Sequence, residues 1–428
     1  MRILFLSHYF PPEVNAPANR THEHCRAWAE AGHEVHVVTC VPSHPAGKPF
    51  SGYRPGWYGT EMVDGIHVHR VWTYLAPNSG VARRVVNYLS FIPTAAFRTW
   101  RLGRFDIVIG TSPQFFCAVA TWLGASLRGL PWVFELRDLW PESIPAVGAI
   151  GPSRALRMLE RLELHLYRKS RAVVCVTEAF IANLRRRGVD EGKLFFVPNG
   201  IVPSAWDGGS REAGRARLGL APDEVAVSYI GTLGMAHGLG TVLEAARLLS
   251  GESRIRFLII GDGAERAALE AKVASSGMTN VTFTGLLPRA DVTHIMAGTD
   301  IALVTLKPSE TFKTVLPSKM FEAMAARRPI LLAVEGEAKR VLESSGGGVA
   351  VPPGNAAALS QAIQDLAADP ARRESLGNAG GAFVRREFNR AVWAGRYLTI
   401  LHNLVHTVPD AADRATLRPA AERPESSG

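Results

Sequence analysis

The stretch VAVSYIGTLGMAHGL, residues 225–239, reads as a short buried strand, a glycine-bearing turn and the start of a helix. Its apolar run is too brief for a helix and is stopped by Gly231. A strand that is apolar at successive positions needs cover on both faces, which is the mark of a parallel α/β sheet. Working outward, the same kind of run recurs in the second half at 256–260, 281–283, 300–304, 329–333 and 348–351. In the first half it recurs at 2–7, 34–40, 106–110, 132–135, 172–176 and 194–197. Helical patterns near 17–31, 115–128, 153–169 and 178–187 fall between these runs. The alternation predicts an α/β chain of two Rossmann-like, parallel-sheet domains facing a central cleft.

Pro198-Asn199-Gly200 interrupts the pattern. The reading is therefore an N-terminal domain over 1–200, a polar linker over 201–222 and a second domain over 223–385. A last helix within 386–408 is expected to cross back to the first domain. The remainder, 409–428, is rich in Ala, Pro, Arg and Glu and is expected to be disordered.

Of the 428 residues 47% are hydrophobic, enough for sizeable cores, and the formal net charge is +9. Such a surplus suits anionic partners: nucleotide phosphates, anionic lipid or nucleic acid. No stacking-aromatic repeat or reader motif accompanies the charge, so nucleic acid is not expected. Cys25, Cys40, Cys117 and Cys175 show no metal spacing and read as reduced thiols of a cytoplasmic protein. The first apolar run is too short for a signal peptide, and no uncharged apolar run is long enough to span a bilayer.

In open α/β sheets ligands bind beyond the carboxyl ends of the strands, so the loops there carry the candidate site. Leu316-Pro317-Ser318-Lys319-Met320-Phe321-Glu322 places Ser318 and Lys319 at a helix start, where unpaired N–H groups and the helix dipole attract an anion. Glu322, one turn on, could accept from a ribose diol; an ordinary capped helix with a surface Lys–Glu pair explains the same residues. Gly231 and Gly234 could let backbone approach a phosphate, and His237 could donate to a diphosphate oxygen. Gly261 and Asp262 form either a nucleotide contact or a plain tight turn. Gly285 and Leu286 could present backbone groups to the edge of a base. In the first half Arg20 is expected to face the cleft from the first helix. Arg137 and Asp138, in Arg137-Asp138-Leu139-Trp140-Pro141-Glu142-Ser143, either line the site or pair with each other. No Asp-x-Asp occurs, so a metal-held diphosphate is not expected; Lys313, Lys319 and His237 would neutralise it instead.

Residues 66–105 contain no Asp or Glu, and arginines at 70, 83, 84, 98, 101 and 104 alternate with apolar residues. The segment reads either as an anionic-membrane surface or as a core helix with a basic edge, interrupted or kinked at Pro93.

Four motifs then fall in order: Gly32-His33-Glu34-Val35, Val197-Pro198-Asn199-Gly200-Ile201, Gly261-Asp262-Gly263 and Glu322-Ala323-Met324-Ala325. Together they resemble glycosyltransferase family 4 from about residue 1 to 400. Asp138-Leu139-Trp140-Pro141-Glu142-Ser143 and Met235-Ala236-His237-Gly238-Leu239 are similar to its branch of WbuB-type surface-polysaccharide transferases. The resemblance implies the GT-B fold and a retaining, metal-independent hexosyltransferase using no cofactor. It implies a UDP-sugar donor, with an N-acetylated deoxy aminosugar among the candidates, and a lipid-diphosphate-linked acceptor. It places the enzyme peripherally at the inner face of the cytoplasmic membrane, in O-antigen, capsule or exopolysaccharide assembly. The catalytic set it implies is Asp138, Arg137, Lys319 and Glu322. This chain departs from the family at Thr314, where the signature has its first Glu, and at Thr232 and His237, where Arg and Lys are common. A UDP-sugar epimerase of the same build and a non-catalytic nucleotide-binding protein are the rival readings.

Overall fold

The computed structural model describes residues 1–77, 81–142 and 153–406. The expected tail 409–428 and Ser143 lie outside the described residues. The chain forms two compact units, Met1–Asn199 with the segment from Arg390 onward, and Gly200–Asn389.

The first unit is built on strands β1 (Arg2–Leu6), β2 (Glu34–Cys40), β3 (Tyr58–Val63), β4 (Ile66–Val71), β5 (Ile107–Thr111), β6 (Trp132–Leu136), β7 (Ala172–Cys175) and β8 (Leu194–Phe196). Their order across the sheet is β3-β4-β2-β1-β5-β6-β7-β8, parallel except for the β3–β4 pair. The strands beside β1 belong to opposite winding directions, so the sheet changes direction at β1 and β5. Helices start where side chains replace lost backbone partners: Asn15 accepts from Ala18 N–H and Thr177 from Phe180 N–H. The last helix, Arg390–His406, packs on Ala16–Glu30, where Trp28 donates its indole N–H to the Ala394 carbonyl at 2.9 Å.

At the sheet edge a polar row crosses β3, β4 and β2. Tyr58 meets His69 Nδ1 at 2.9 Å, His69 Nε2 meets His36 Nδ1 at 2.9 Å, and His36 Nε2 meets Glu34 at 2.9 Å. The row is satisfied when both imidazoles are neutral with hydrogen on Nε2. Burial favours that state, lowering His36 and pushing His69 down to about 4.

The second unit carries β9 (Val225–Ile230), β10 (Ile255–Ile260), β11 (Val281–Gly285), β12 (Ile301–Thr305), β13 (Ile330–Ala333) and β14 (Gly348–Ala350). The parallel order β11-β10-β9-β12-β13-β14 reverses direction between β9 and β12. Buried apolar side chains from both faces of this sheet, Val227 and Phe257 against Leu243, Val304 against Met320, form its cores.

Three expectations need correction. The polar stretch 201–222 is not a free linker: it holds a 3-10 turn at Pro203–Trp206 and a helix at Arg211–Arg217. That helix packs on Arg289–Gly298 so closely that a Cβ on Gly214 would overlap the His294 carbonyl, and Arg215 and Arg211 both bind Asp300, at 3.0 and 2.6 Å. The basic segment begins with a strand, β4, because Ile66–Val71 pairs with β2 on one side and β3 on the other. Beyond it the helix Val81–Arg101 runs through Pro93 unbroken.

Candidate functional site

In the second unit the loop after β9 lies where the sheet reverses. Three loops are laced together there by backbone: Gly231 N–H donates to Ile260, Gly261 N–H to Gly285, and Leu233 N–H to Asp262, at 2.9, 3.0 and 2.9 Å. This lacing explains the glycines. Gly261 has φ +136°, and a Cβ on it would overlap the Gly231 carbonyl, so its bareness serves loop-to-loop contact rather than a ligand. Gly231 has φ +146°, and a Cβ there would lie 2.9 Å from the Lys319 ammonium. Gly234 has only ordinary neighbours at 3.7 Å or more, so a Cβ there would make normal van der Waals contact and packing does not demand a glycine.

Lys319 stands in the first turn of the helix Ser318–Ala325, which no side chain caps. Its Nζ donates to the Tyr229 hydroxyl at 2.7 Å and lies 3.9 Å from the Tyr229 ring centre. Burial lowers the Lys319 ammonium to about 8, and Glu322 on the same helix opposes that change. The ammonium therefore stays charged at neutral pH in a place that strips its water. Such a desolvated charge is uncommon for a surface Lys–Glu pair and makes Lys319 a candidate site residue. Ser318 is exposed at the helix start and Glu322 is partly buried one turn on.

His237 sits in the turn Met235–His237, its carbonyl fixed by Thr305 at 2.7 Å. Burial, with Lys319 nearby, lowers its pKa to about 4. It is a neutral imidazole and not the positive charge expected of it; its buried Nδ1 has no hydrogen-bond partner among the described residues. Lys313 pairs instead with Glu310 at 2.6 Å and Glu335 at 3.5 Å. Asp262 caps Gly263 N–H at 2.7 Å and faces Arg266 at 3.7 Å, as in a tight turn. Gly285 has φ +73° and Leu286 is strongly exposed. Tyr229 was missed as a functional residue; the signal was a hydroxyl-bearing aromatic two positions before Gly231 at the end of a buried strand.

In the first unit Arg20 is 1% exposed and turned inward. Nε donates to Glu135 at 3.2 Å, Nη1 to Pro198 O at 2.6 Å and Nη2 to Val197 O at 3.0 Å. With these donors spent on the unit's own groups, it holds the fold together and the ligand contact expected of it is replaced by a structural one. Arg137 is different: its Nε and Nη1 are shut from solvent and lack partners among the described residues. Burial first, then Arg20, lower its guanidinium to about 9. Asp138 follows at the same strand end, and Trp140 stacks on Phe115 at 4.8 Å.

The loops after β1 and β2 meet the helix Val81–Arg101 in a pocket lined by His8, Tyr9, Glu13, His44, Arg84 and Tyr88. Glu13 accepts Ser43 and His44 N–H, both at 2.9 Å, and shapes the loop. His8 Nε2 meets Asn87 Oδ1 at 3.0 Å, and Asn87 donates its own amide to Tyr74 O at 2.5 Å. Burial lowers His8 to about 4, so it is neutral and donates from Nε2. Its Nδ1 is then a buried acceptor with no donor among the described residues. On its other side the same helix exposes Val85, Val86, Leu89, Phe97 and Trp100. Among the described residues no helix is long and apolar enough to cross a membrane.

Residues 15–200 match the family model described as a glycosyl transferase 4-like domain, and 210–382 match the model for glycosyl transferases group 1. The Escherichia coli (strain K12) protein WcaI, a glycosyl transferase named for colanic acid biosynthesis, is 27% identical over 76% of this chain and 81% of its own. WbjE of Pseudomonas aeruginosa, named as a glycosyltransferase, is 28% identical over 63% of this chain and 68% of its own. Among solved structures, sucrose-phosphate synthase from Thermosynechococcus elongatus aligns with a TM-score of 0.74 at 20% identity, covering 94% of this chain and 98% of that one. WaaG, a glycosyltransferase involved in lipopolysaccharide biosynthesis, aligns at 0.66 and 16% identity, covering 93% and 99%.

Proposed function

The chain belongs to glycosyltransferase family 4, and on that premise we propose that it moves a sugar from a UDP-sugar to a lipid-linked acceptor with retention of configuration. The observation that carries the donor side is the desolvated Lys319 ammonium, 2.7 Å from Tyr229, beside the glycine loop where the second sheet reverses. As the bond from sugar C1 to the diphosphate oxygen breaks, negative charge grows on that oxygen. Lys319, the uncapped helix start at Ser318–Lys319 and the loop N–H groups near Gly234 receive that charge. The acceptor hydroxyl forms the new bond to C1 on the same face, and its proton passes to the departing diphosphate. Glu322 accepts from the ribose diol, and His237 serves as a neutral hydrogen-bonding group. No metal is required where a fixed cation and a helix start neutralise the leaving group.

Arg137 and Asp138 serve the sugar and acceptor side. The His8 Nδ1 acceptor in the first unit's pocket suits a sugar hydroxyl, and Arg84 at its rim suits an acceptor phosphate. The names of WcaI and WaaG support a place in surface-polysaccharide assembly. The helix Val81–Arg101 supports work at a membrane face: Phe97 is 60% exposed, and Arg83, Arg84 and Arg101 flank its apolar residues, a charge match for anionic lipid.

The test is turnover of Lys319→Ala and Glu322→Ala with a UDP-sugar and membrane-derived acceptor. Each is expected to lose about 10²-fold or more in kcat/KM, the usual effect of removing a preorganised charge-stabilising group. Near-normal turnover in both would remove the assignment. A UDP thermal-shift titration that disappears with EDTA would overturn the metal-free reading. Product analysis with labelled donor separates transfer from epimerisation.

A further inference from the structure

Resting on the donor site proposed above, we infer that Tyr229 is the positioning residue for Lys319, holding the ammonium over the phosphate loop and tying it to that loop's backbone. Tyr229 is fully buried at the penultimate position of β9, the strand at the sheet's reversal. Its hydroxyl has one hydrogen, and that hydrogen goes to the Thr232 carbonyl at 2.7 Å. Toward Lys319, also at 2.7 Å, the oxygen can therefore only accept, which suits an ammonium and not a neutral amine presenting its lone pair. Burial raises the phenol above its usual value, so it keeps this hydrogen at any pH the protein tolerates.

The rest of the enclosure agrees. The ring lies under the ammonium at 3.9 Å, and Gly231 leaves room where any side chain would intrude. Among the described residues Tyr229 is the hydrogen-bond partner of this ammonium, so two of its three N–H groups remain for a ligand. The charged and titratable groups around the pair are Glu322 on the lysine's own helix, His237 across the loop and Glu265 near the phenol. His237 is neutral, so Tyr229 and Glu322 are what favour the charged lysine against its burial. Loss of the phenol oxygen should make the ammonium easier to deprotonate, and a diphosphate should bind less well wherever that happens.

The experiment is UDP affinity by calorimetry at pH 6.5 and 8.5 for the full chain, Tyr229→Phe, Lys319→Met and the double variant. Tyr229→Phe keeps the ring and should weaken UDP about tenfold at pH 8.5, the usual scale for a hydrogen bond to a charged group. The loss at pH 6.5 should be clearly smaller, and in the Lys319→Met background it should vanish. Lys319→Arg, charged at both pH values and with Tyr229 intact, should flatten the pH dependence. Equal losses at both pH values, or the same loss without Lys319, would overturn the inference and leave Tyr229 as loop packing. Unchanged UDP affinity in Lys319→Met is a different failure: it removes the donor-site reading, and this inference with it.

Discussion

Replacing Lys319 by methionine should make the protein more stable while disabling it. The lysine's fall from 10.5 to about 8 corresponds to a penalty of about 3 kcal/mol for keeping the charge in the folded state at pH 7. Methionine fills similar space without that penalty but forfeits the bond to Tyr229, which returns about 1–1.5 kcal/mol. The net gain is ~2 kcal/mol, or a rise in Tm of about 4–8 °C for a unit of this size. The sign can be checked against pH. The folded value lies below the unfolded one, so the penalty is full below about 8 and fades as pH rises toward 10.5. The stability advantage of Lys319→Met should therefore be largest near neutrality and shrink at alkaline pH. Scanning calorimetry of both proteins from pH 7 to 10, beside turnover, reads this directly. A lower Tm with intact turnover would show that the lysine is a structural cation and refute the reasoning.

Gly261→Ala should be strongly destabilising, by about 3 kcal/mol or more, because φ +136° strains an alanine and its methyl would meet the Gly231 carbonyl; an unchanged urea midpoint would contradict the loop lacing. Acid should destabilise the whole protein: His8, His69 and His237 are held near 4, so unfolding takes up protons below about 6.5. Stability should be level above pH 6.5 and fall as pH drops toward 4, by about 1.4 kcal/mol per pH unit for each such group, and flat urea midpoints from pH 7 to 5 would exclude neutral buried imidazoles. Phe97→Ser with Leu89→Ser should abolish co-flotation with anionic liposomes while leaving UDP binding unchanged; retained flotation would remove the membrane face.

The α/β layout was legible because buried parallel strands must be apolar at successive positions, and 225–230 or 106–110 admit no other arrangement of cover. Lys319 was legible because a helix start with an adjacent cation is a local feature. What was not legible depended on partners distant in sequence. Arg20 looks like a ligand-facing arginine until Glu135, Val197 and Pro198 arrive to take its donors. The helix at Arg211–Arg217 is polar and short, and only the contact of Gly214 with the helix Arg289–Gly298 makes it part of a core. His237 promises charge by residue type, and burial removes it. Tyr229 lay inside the stretch that reveals the fold, yet its role emerges only with a lysine 90 positions later.

The chain passes out of the first unit at Asn199 and re-enters at Arg390. On each side of that passage the two ends are stitched: Arg390 Nε donates to Asn199 O at 3.0 Å, and Ile201 N–H donates to Phe388 O at 2.8 Å beside a parallel bridge to Asn389. Residues 200–389 are thus a closed cassette whose two termini are neighbours. Such a cassette lends itself to being lifted out whole, permuted, or exchanged for that of a relative, with a brief splice joining 199 to 390 in the remainder.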